Sequence, residues 1–312
     1  MAGDPHAITH DEPMFSGALS FCRRRYARDL SGVDVAVIGV PHDTSVTNRP
    51  GTRFGPRAIR AASTNLAWSR AWPSPFDPFA RLSVVDWGDV ALPPGDVPSA
   101  GARIEGAVGE VIATGARALL LGGDHYVSYP SLKAHAARHG ALALIQFDAH
   151  TDTWPGAPGD MDHGTMFGHA VREGLIDPAR SIQIGIRTTN DEPMGIAIRD
   201  AIAVHETPLA ETVAAIRERV GDAPCYLSFD IDCLDPAFAP GTGTPVAGGL
   251  TSHQALSLMR GLAGLDLRGG DVVEVSPPYD HAEITALAGA TLALQMLCLF
   301  AEAGGGASRT DR

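Results

Sequence analysis

Short, almost continuously apolar runs alternate with helical patterns along this chain, and this alternation constrains the fold more than any other feature. Apolar strands separated by helices are typical of a parallel sheet that is covered on both faces. The predicted strands are residues 33–40, 82–86, 118–121, 142–147, 182–186, 201–204, 225–230 and 271–275. Eight strands of this kind suit an open α/β sheet and also a closed (β/α)₈ barrel, and the alternation alone does not distinguish the two.

Helical patterns occupy the segments between these runs. The predicted helices are residues 106–115, 128–138, 209–220, 252–261 and 282–302. A further helix is predicted to begin at Pro56, because proline suits the first position of a helix. The 312 residues contain no internal repeat, low-complexity linker or break in composition, so we expect one α/β domain over 1–312, with an N-terminal arm over 1–30 and a flexible tail over 304–312.

Two acidic stretches directly follow apolar runs. Asp148, His150 and Asp152 follow Ala-Leu-Ile-Gln-Phe, and Asp230 and Asp232 follow Cys-Tyr-Leu-Ser-Phe. In extended backbone, residues at i, i+2 and i+4 project to one side, so the members of each stretch should converge. Four neighbouring carboxylates would repel one another, and a pair of divalent cations held by carboxylate oxygen and imidazole nitrogen would neutralise them. The pattern therefore indicates a metal-dependent enzyme.

A third polar motif, Gly-Gly-Asp-His over 122–125, follows the run 118–121. Ligands of open parallel sheets bind outside the carboxyl ends of the strands, so His125 should meet the acidic stretches at one edge. Six ligands can hold two metal ions with bridging carboxylates, and an oxygen-rich ligand set favours manganese over the sulfur-bearing sites of structural zinc. The predicted metal ligands are His125, Asp148, His150, Asp152, Asp230 and Asp232.

Each motif also has a weaker interpretation when it is taken alone. Gly-Gly after a strand is often a tight turn, and Asp-x-Asp occurs in magnesium–nucleotide sites and surface loops. The second acidic stretch could also belong to a haloacid-dehalogenase-type phosphatase, but such enzymes need a lysine for the phosphate, and the only lysine here is Lys133 in a predicted helix. Because buried unpaired carboxylates are costly, a metal site explains the motifs together. A non-catalytic scaffold stabilised by metal is a remote alternative.

Composition argues against several classes of partner. The formal net charge of −12 opposes nucleic-acid binding, which requires a basic face. The polar first 17 residues do not form a signal peptide, and the apolar stretch 286–301 falls short of the ~20 residues that span a bilayer, so we expect a buried helix and no membrane association. The four cysteines form no Cys-x-x-Cys pair, which favours a cytoplasmic protein.

The polar motifs together resemble those of the ureohydrolase (arginase/agmatinase) family. The likeness rests on residues 122–125, 148–152, 228–236 and 241–245, on the loop 49–56 and on the last strand, 271–275. It extends roughly from Val33 to Phe300, essentially the whole domain. The resemblance implies a three-layer α/β/α sandwich with an eight-stranded parallel sheet, rather than a barrel.

Within this family, segments 62–68, 162–167 and 182–188 are most similar to bacterial agmatinases. The loop 153–162 lacks the Asn and Ser residues with which arginases hold the α-carboxylate of their substrate, and it adds Asp160 and Asp162. Agmatine is arginine without that carboxylate, so these two aspartates would attract its ammonium end and repel arginine. Segment 189–195 departs from the agmatinase pattern, which leaves 4-guanidinobutyrate or a similar guanidino compound as the alternative substrate.

The resemblance also implies the role of each site residue. Two Mn²⁺ ions per chain would lie among the six predicted ligands, with Asp148 and Asp230 bridging them. A hydroxide held between the ions would attack the guanidinium carbon of agmatine and give urea and putrescine. Glu274 would bind the guanidinium group, and His163 would pass a proton to the departing amine. Homotrimers or homohexamers are the expected assemblies.

Four further polar residues receive supporting roles. Asp124 is predicted to orient His125. His42 and Asp43 follow the first predicted strand and are assigned either to a turn or to the rim of the site. Arg187 is assigned to support of the fold or to a subunit contact.

Overall fold

One parallel sheet organises the chain. The computed structural model describes residues 13–68, 70–156 and 161–303. In these residues the strands are β1 (Val35–Gly39), β2 (Val84–Asp89), β3 (Arg117–Leu121), β4 (Ala143–Phe147), β5 (Ile182–Ile184), β6 (Ala197–Arg199), β7 (Cys225–Asp230) and β8 (Leu267–Val273). Their order is β2-β1-β3-β8-β7-β4-β5-β6, and every neighbouring pair is parallel. The sheet is open, because β2 and β6 lie at opposite edges, so the barrel is excluded.

Helices cover both faces of this sheet. Successive residues of a strand face opposite sides, and in β1 Val35 and Val37 join one buried cluster while Ala36 and Ile38 join another. The helices are α1 (Gly55–Ser63), α2 (Ala100–Ala113), α3 (Ser128–His139), α4 (Met166–Arg172), α5 (Ala201–Glu206), α6 (Leu209–Val220), α7 (Ser252–Arg260) and α8 (Ile284–Ala303). Helices α2, α3 and α4 pack on one face and the others on the opposite face, so the three-layer sandwich is confirmed.

One predicted strand is wrong. Residues 201–204 form the first turns of α5, and the sixth strand is the three-residue segment β6 immediately before them. The carboxylate of Asp200 accepts a hydrogen bond from the amide of Ala203 (2.7 Å) and thereby caps the helix. A four-residue apolar run fits a buried helix as well as a strand, and here the capping residue decides between them.

Other element boundaries differ by a few residues. Strand β8 begins at Leu267 and ends at Val273, so it lies earlier than predicted. Helix α2 begins at Ala100, six residues before the predicted start. Helix α8 begins at Ile284, after Ala282 and Glu283, whose positive φ angles of 50° and 60° are incompatible with a right-handed helix.

Helix α8 is long and apolar enough to cross a membrane, but it is part of the core. Within its most apolar 18-residue window, 72% is buried inside the protein. It packs against α1, α7 and β8. The carboxylate of Asp280 accepts hydrogen bonds from the amides of Thr285 and Ala286 and fixes the start of the helix (3.0 Å each). The buried helix predicted over this stretch is therefore present.

Part of the N-terminal arm is buried, whereas the predicted tail cannot be described. Phe21 and Cys22 are fully buried, and the amide of Phe21 donates to the carboxylate of Asp86 at the edge of the sheet (2.8 Å). All four cysteines are buried and none forms a disulfide. Residues 1–12 and the predicted tail, 304–312, lie outside the described residues.

Candidate active site

The central strands deliver the polar motifs to one edge of the sheet. Strands β3, β8, β7 and β4 are consecutive neighbours, and because they are parallel their carboxyl ends lie side by side. His125 follows β3, Glu274 follows β8, Asp230 is the last residue of β7, and Asp148 follows β4. The five residues after each of these strands therefore supply most of the candidate site.

The acidic stretches converge because the chain turns, not because it is extended. Strand β4 ends at Phe147, and Asp152 adopts a left-handed backbone with φ of 52°. The carbonyl oxygen of Asp152 accepts a hydrogen bond from the amide of Phe167 (3.0 Å) at the start of α4, which holds this turn in place. Residues 231–233 likewise form a short 3₁₀ turn. The expectation of extended backbone is wrong, although the side chains do meet.

Three carboxylates surround one nitrogen of His125. Its Nδ1 lies 3.1 Å from Asp148 Oδ2, 2.9 Å from Asp152 Oδ2 and 3.1 Å from Asp230 Oδ2. Despite these distances, Nδ1 has no hydrogen-bond partner of acceptable geometry. His125 is 1% exposed, so water cannot solvate this nitrogen. The arrangement is that of four ligand atoms around a common point.

The hydrogen bond at Nε2 of His125 explains why a cation fits beside Nδ1. Its Nε2 lies 2.8 Å from the hydroxyl of Ser228, which in turn donates to Asp271 Oδ1 (2.6 Å). Because the hydroxyl proton of Ser228 points to Asp271, its oxygen accepts the proton of Nε2. When His125 is neutral, it therefore directs the lone pair of Nδ1 toward three carboxylates. Such a donor set is stable only around a positive charge, and a divalent metal ion satisfies it.

A second group adjoins the first. His150 Nδ1 lies 3.1 Å from Asp232 Oδ2 and 3.4 Å from Asp148 Oδ1. The ligand atoms of His125, Asp148 and Asp230, and separately those of Asp148, His150 and Asp232, lie within 4.8 Å of one another. Asp148 belongs to both groups, which is the placement that a bridging carboxylate requires.

Backbone and side-chain donors orient these carboxylates. Asp148 accepts hydrogen bonds from the amide of His150 (2.6 Å) and from Gln146 Nε2 (2.7 Å). Asp232 Oδ1 accepts from the amide of Ala149 (3.1 Å), which ties the two acidic stretches to each other. These hydrogen bonds orient the carboxylates of both acidic stretches.

Protonation in the cluster shows the same need for positive charge. Burial, reinforced by the charge of Asp148, raises the pKa of Asp152 to about 7, and burial together with its acidic neighbours raises that of Asp230 well above the usual range. Burial lowers the pKa of His150, but Asp232 and Asp148 outweigh it and raise the value to about 12. Protons thus neutralise the cluster where no metal ion does so.

Glu274 and His163 form a pair beside this cluster. Glu274 Oε1 accepts hydrogen bonds from His163 Nδ1 (2.9 Å) and from the amide of His125 (2.8 Å), while Oε2 is buried without a partner. Glu274 has a left-handed backbone with φ of 63°, which ends β8 and redirects the side chain. A buried carboxylate with one free oxygen is suited to a cationic ligand that donates hydrogen bonds.

The contacts of the two ring nitrogens of His163 have opposite effects on its protonation. Burial lowers its pKa, but the hydrogen bond and the charge of Glu274 outweigh burial and raise the pKa to about 9. At Nε2, the amide of Thr47 donates at 3.0 Å, which favours the neutral ring, and the hydroxyl of Thr47 lies at 2.7 Å and can either donate or accept. This environment suits a group that gains and loses a proton.

A cavity of about 380 Å³ opens beside the two groups. Its described lining contains three carboxylates, those of Asp152, Asp162 and Asp230, and neither lysine nor arginine. Trp154 forms part of the wall, and its ring lies 5.9 Å from that of His150. The cavity is therefore acidic, with an aromatic wall, and suits a positively charged ligand.

Of the two residues that are predicted to contact the ammonium end of the substrate, the structure describes only Asp162. Asp162 lines the cavity and its Oδ1 accepts a hydrogen bond from the amide of Gly164 (2.8 Å). Asp160 lies in the segment 157–160, outside the described residues.

Asp124 does not orient the ring of His125 as predicted. Its Oδ2 accepts from the amide of Ser45 (2.8 Å), and the imidazole is held by Ser228 instead. Burial, followed by the charge of Glu274, raises the pKa of Asp124 well above the usual range. The residue that sequence reasoning missed, Ser228, lies two positions before Asp230 on β7, so strand alternation could have indicated it.

The remaining predicted polar residues have structural contacts. Arg187 donates to the carbonyl oxygens of Asp232 (2.6 Å) and Val246 (2.7 Å), so it supports the fold around the second acidic stretch. Asp43 pairs with Arg53 and accepts from the amide of Gly51 (2.8 Å), which is a role in a turn.

Comparison with known proteins identifies relatives of this chain. Residues 33–298 match the Arginase family. A protein named agmatinase from Chromobacterium violaceum is 54% identical over 290 residues, which cover 92% of this chain and 90% of that protein.

Two solved structures are also similar. The crystal structure of a hypothetical agmatinase from Burkholderia thailandensis has a TM-score of 0.92 and 53% identity over 95% of this chain and 94% of that one. Proclavaminate amidino hydrolase from Streptomyces clavuligerus has a TM-score of 0.89 and 40% identity over 94% of this chain and 100% of that one. The predicted family is thereby confirmed: this chain is an enzyme of the arginase family.

Proposed function

We propose that this protein hydrolyses agmatine to urea and putrescine. The observation that carries the choice of substrate is the cavity, whose described lining offers three carboxylates and neither lysine nor arginine. Agmatine presents a guanidinium group at one end and an ammonium group at the other, so both ends favour an acidic site. The names of the similar proteins from Chromobacterium violaceum and Burkholderia thailandensis support the same substrate.

We assign the two metal ions to the two groups of ligand atoms. In this proposal His125 and Asp152 would hold one ion, His150 and Asp232 would hold the other, and Asp148 and Asp230 would contribute to both. The bare nitrogen of His125 and the shared position of Asp148 support the assignment. We propose Mn²⁺ for both ions, because the donor set contains four carboxylates, two imidazoles and no sulfur. Such ions, when bound, supply a Lewis-acidic centre that lowers the pKa of water.

Glu274 is the proposed anchor of the guanidinium group. Its Oε2 is buried without a hydrogen bond, so a planar cation that donates N–H groups would satisfy it. The amide of His125 already holds Oε1, which limits rotation of the carboxylate. In this proposal Glu274 would hold the guanidinium carbon near the proposed metal ligands, and holding reactants in this way lowers the entropic part of the barrier.

His163 is the proposed proton donor to the departing amine. A pKa of about 9 keeps the ring protonated near neutral pH. Its hydrogen bond to Glu274, the proposed anchor of the guanidinium group, supports this role (2.9 Å). Without that proton the leaving group would be an amide anion, which is far too basic to depart.

Asp162, with Asp160, is the proposed contact of the distal ammonium group. Asp162 lines the cavity, and one of its oxygens is fixed by the amide of Gly164. The methylene chain of the substrate would then lie along Trp154, where the aromatic ring excludes water from it.

A substrate panel tests the proposal. Purified protein supplied with Mn²⁺ is assayed for urea release from agmatine, arginine and 4-guanidinobutyrate, at equal concentrations. We expect agmatine to give the highest kcat/KM, because the other two carry a carboxylate into an acidic cavity. A higher kcat/KM for either carboxylate-bearing compound would overturn the choice of agmatine.

A guanidino acid is the alternative substrate, and one observation favours it. The similar enzyme from Streptomyces clavuligerus is named for proclavaminate, a carboxylate, at 40% identity. A preference for 4-guanidinobutyrate in the same panel would select this alternative and would leave the metal assignment intact.

We further propose that the chain forms one domain and acts in the cytoplasm as a homotrimer or homohexamer. Continuity of the sheet through every strand supports the single domain. Analytical ultracentrifugation of the purified protein would test the assembly, and a monomer would contradict it.

A further inference from the structure

A buried carboxylate with no assigned role lies behind His125. Asp271 is fully buried on β8, and in the register of the sheet it is the partner of Ser228 on β7. Its Oδ1 accepts the hydroxyl of Ser228 (2.6 Å), and its Oδ2 accepts those of Ser128 (2.7 Å) and Tyr226 (2.7 Å). Ser228 in turn accepts from His125 Nε2. A continuous path of hydrogen bonds thus joins Asp271 to the imidazole.

No cation accounts for this carboxylate. Among the described residues, no lysine or arginine lies within ion-pair distance of Asp271. Three hydroxyl donors hold it instead. Tyr226 remains a donor, because burial and the charge of Asp271 raise its pKa well above the usual range.

The charge of Asp271 determines the direction of the path. A carboxylate can only accept, so Ser228 must donate to it and must accept the proton of His125 Nε2. When it is neutral, the imidazole is then restricted to the tautomer with a bare Nδ1, the atom that lies among Asp148, Asp152 and Asp230. A reversed Ser228 would allow the proton to move to Nδ1, where it would block any cation.

From this geometry we infer that Asp271, acting through Ser228, is a positioning residue that fixes the tautomer of His125. It thereby sets the affinity for the metal ion that His125 is proposed to hold. Asp271 touches neither the cluster nor the cavity, so its effect passes entirely through the serine hydroxyl. The inference rests on the ligand role proposed above for His125.

Metal titration of a serine variant tests the inference. The full-length protein is stripped with EDTA, dialysed and titrated with Mn²⁺, and bound ions are counted by elemental analysis. Ser228→Ala removes the acceptor of the Nε2 proton, and we expect the dissociation constant of one of the two ions to rise about 10–100-fold. The other ion, assigned to His150, should bind as in the unaltered protein.

Tyr226→Phe is the matched control. It also removes one buried hydroxyl that donates to Asp271, but it leaves the path from Asp271 through Ser228 to His125 intact. We expect a much smaller change in Mn²⁺ affinity than for Ser228→Ala. Equal losses in the two variants would show that the hydroxyls serve only packing, and would overturn the inference.

Two further variants keep the test decisive. Ser228→Cys retains a weak acceptor of similar size, so its Mn²⁺ affinity should fall between those of the unaltered protein and Ser228→Ala. Asp271→Asn can donate as well as accept, so it no longer imposes the direction of the path, and one ion should again bind more weakly. Thermal unfolding in EDTA identifies any variant that no longer folds. Weaker Mn²⁺ binding by a folded variant can then be attributed to the tautomer of His125. Unchanged affinity in both folded variants would overturn the inference.

A ligand variant separates this inference from the proposed function. His125→Ala should lose one ion entirely. If it does and Ser228→Ala binds both ions normally, the role of Asp271 fails while the metal assignment and the substrate stand. If His125→Ala keeps both ions, the assignment of His125 fails and the inference fails with it. The choice of agmatine is judged separately by the substrate panel.

Discussion

The inner and outer ends of the candidate site are built differently. At the inner end, His125 and Glu274 are each 1% exposed, and both are joined to other site residues by hydrogen bonds. At the outer end, Trp154 and Asp162 are half-buried, and the loop that carries them includes the undescribed segment 157–160. The inner residues stand on strand ends and the outer ones on a loop.

This difference separates chemistry from selection of the substrate. Strand ends fix the groups that must keep one geometry, whereas a loop can vary without disturbing the sheet. Changes at the inner end should therefore abolish metal binding or turnover, and changes at the outer end should alter which guanidino compound is preferred. Four predictions test this contrast, in order of decreasing effect.

Asp148→Asn should have the largest effect. The variant loses the one carboxylate that belongs to both groups of ligand atoms, so neither group can keep its ion. We expect turnover to fall by more than about 10³-fold, since loss of even one electrostatic contact at a reacting centre can cost that much. Elemental analysis after dialysis measures the bound metal. Two ions per chain in this variant would contradict the bridging role.

Glu274→Gln should abolish most turnover while leaving the metals bound. The amide keeps the size of the side chain but replaces a charged contact to the guanidinium group, which should lower kcat/KM by about 10²–10³-fold. Urea release and metal content are measured on the same sample. Loss of metal would instead make Glu274 a ligand.

His163→Asn should lower kcat by about 10²-fold, the usual contribution of a positioned proton donor. In the unaltered enzyme, the proposed proton donor is the protonated ring, whose pKa is raised to about 9, so kcat should fall as pH rises through that value. The variant should lack this decline. A pH profile of kcat with saturating substrate and Mn²⁺ checks both expectations, and an identical decline in the variant would assign it to another group.

Asp162→Asn should have the smallest effect, confined to KM. An amide oxygen can still accept from the amide of Gly164, so the loop keeps its turn while the charge is removed. A half-buried ion pair contributes about 1 kcal/mol, so KM for agmatine should rise about fivefold with kcat unchanged. The discrimination against arginine should narrow in parallel. A fall in kcat instead would place Asp162 in the chemistry.

Strand and helix patterns predict much of this fold from the sequence. Seven of the eight predicted strands overlap observed ones, because an apolar run bounded by helices has few other interpretations. The eighth is wrong because β6 has only three residues, too few to show a period, while the apolar start of α5 resembles a strand. The barrel could be rejected only by resemblance, since alternation does not encode how a sheet closes.

Sequence spacing indicates candidate residues for the site but not the geometry that brings them together. Spacing correctly drew attention to Asp148, His150 and Asp152, but a left-handed residue at the end of the turn brings them together, and sequence spacing does not reveal backbone angles. The error at Asp124 has a similar cause. Its position next to His125 suggested contact, whereas the partner of the imidazole comes from β7, a neighbour in space that only the strand order reveals.

The left-handed backbones of Asp152 and Glu274 have a consequence for stability. Positive φ angles of 52° and 63° are unfavourable for residues other than glycine. Each such residue lowers the free energy of unfolding by about 1–3 kcal/mol. Glycine at either position would relax the chain but would remove the carboxylate on which the site depends. Directed evolution for heat resistance alone should therefore select glycine at these two positions and yield a sturdier but inactive protein.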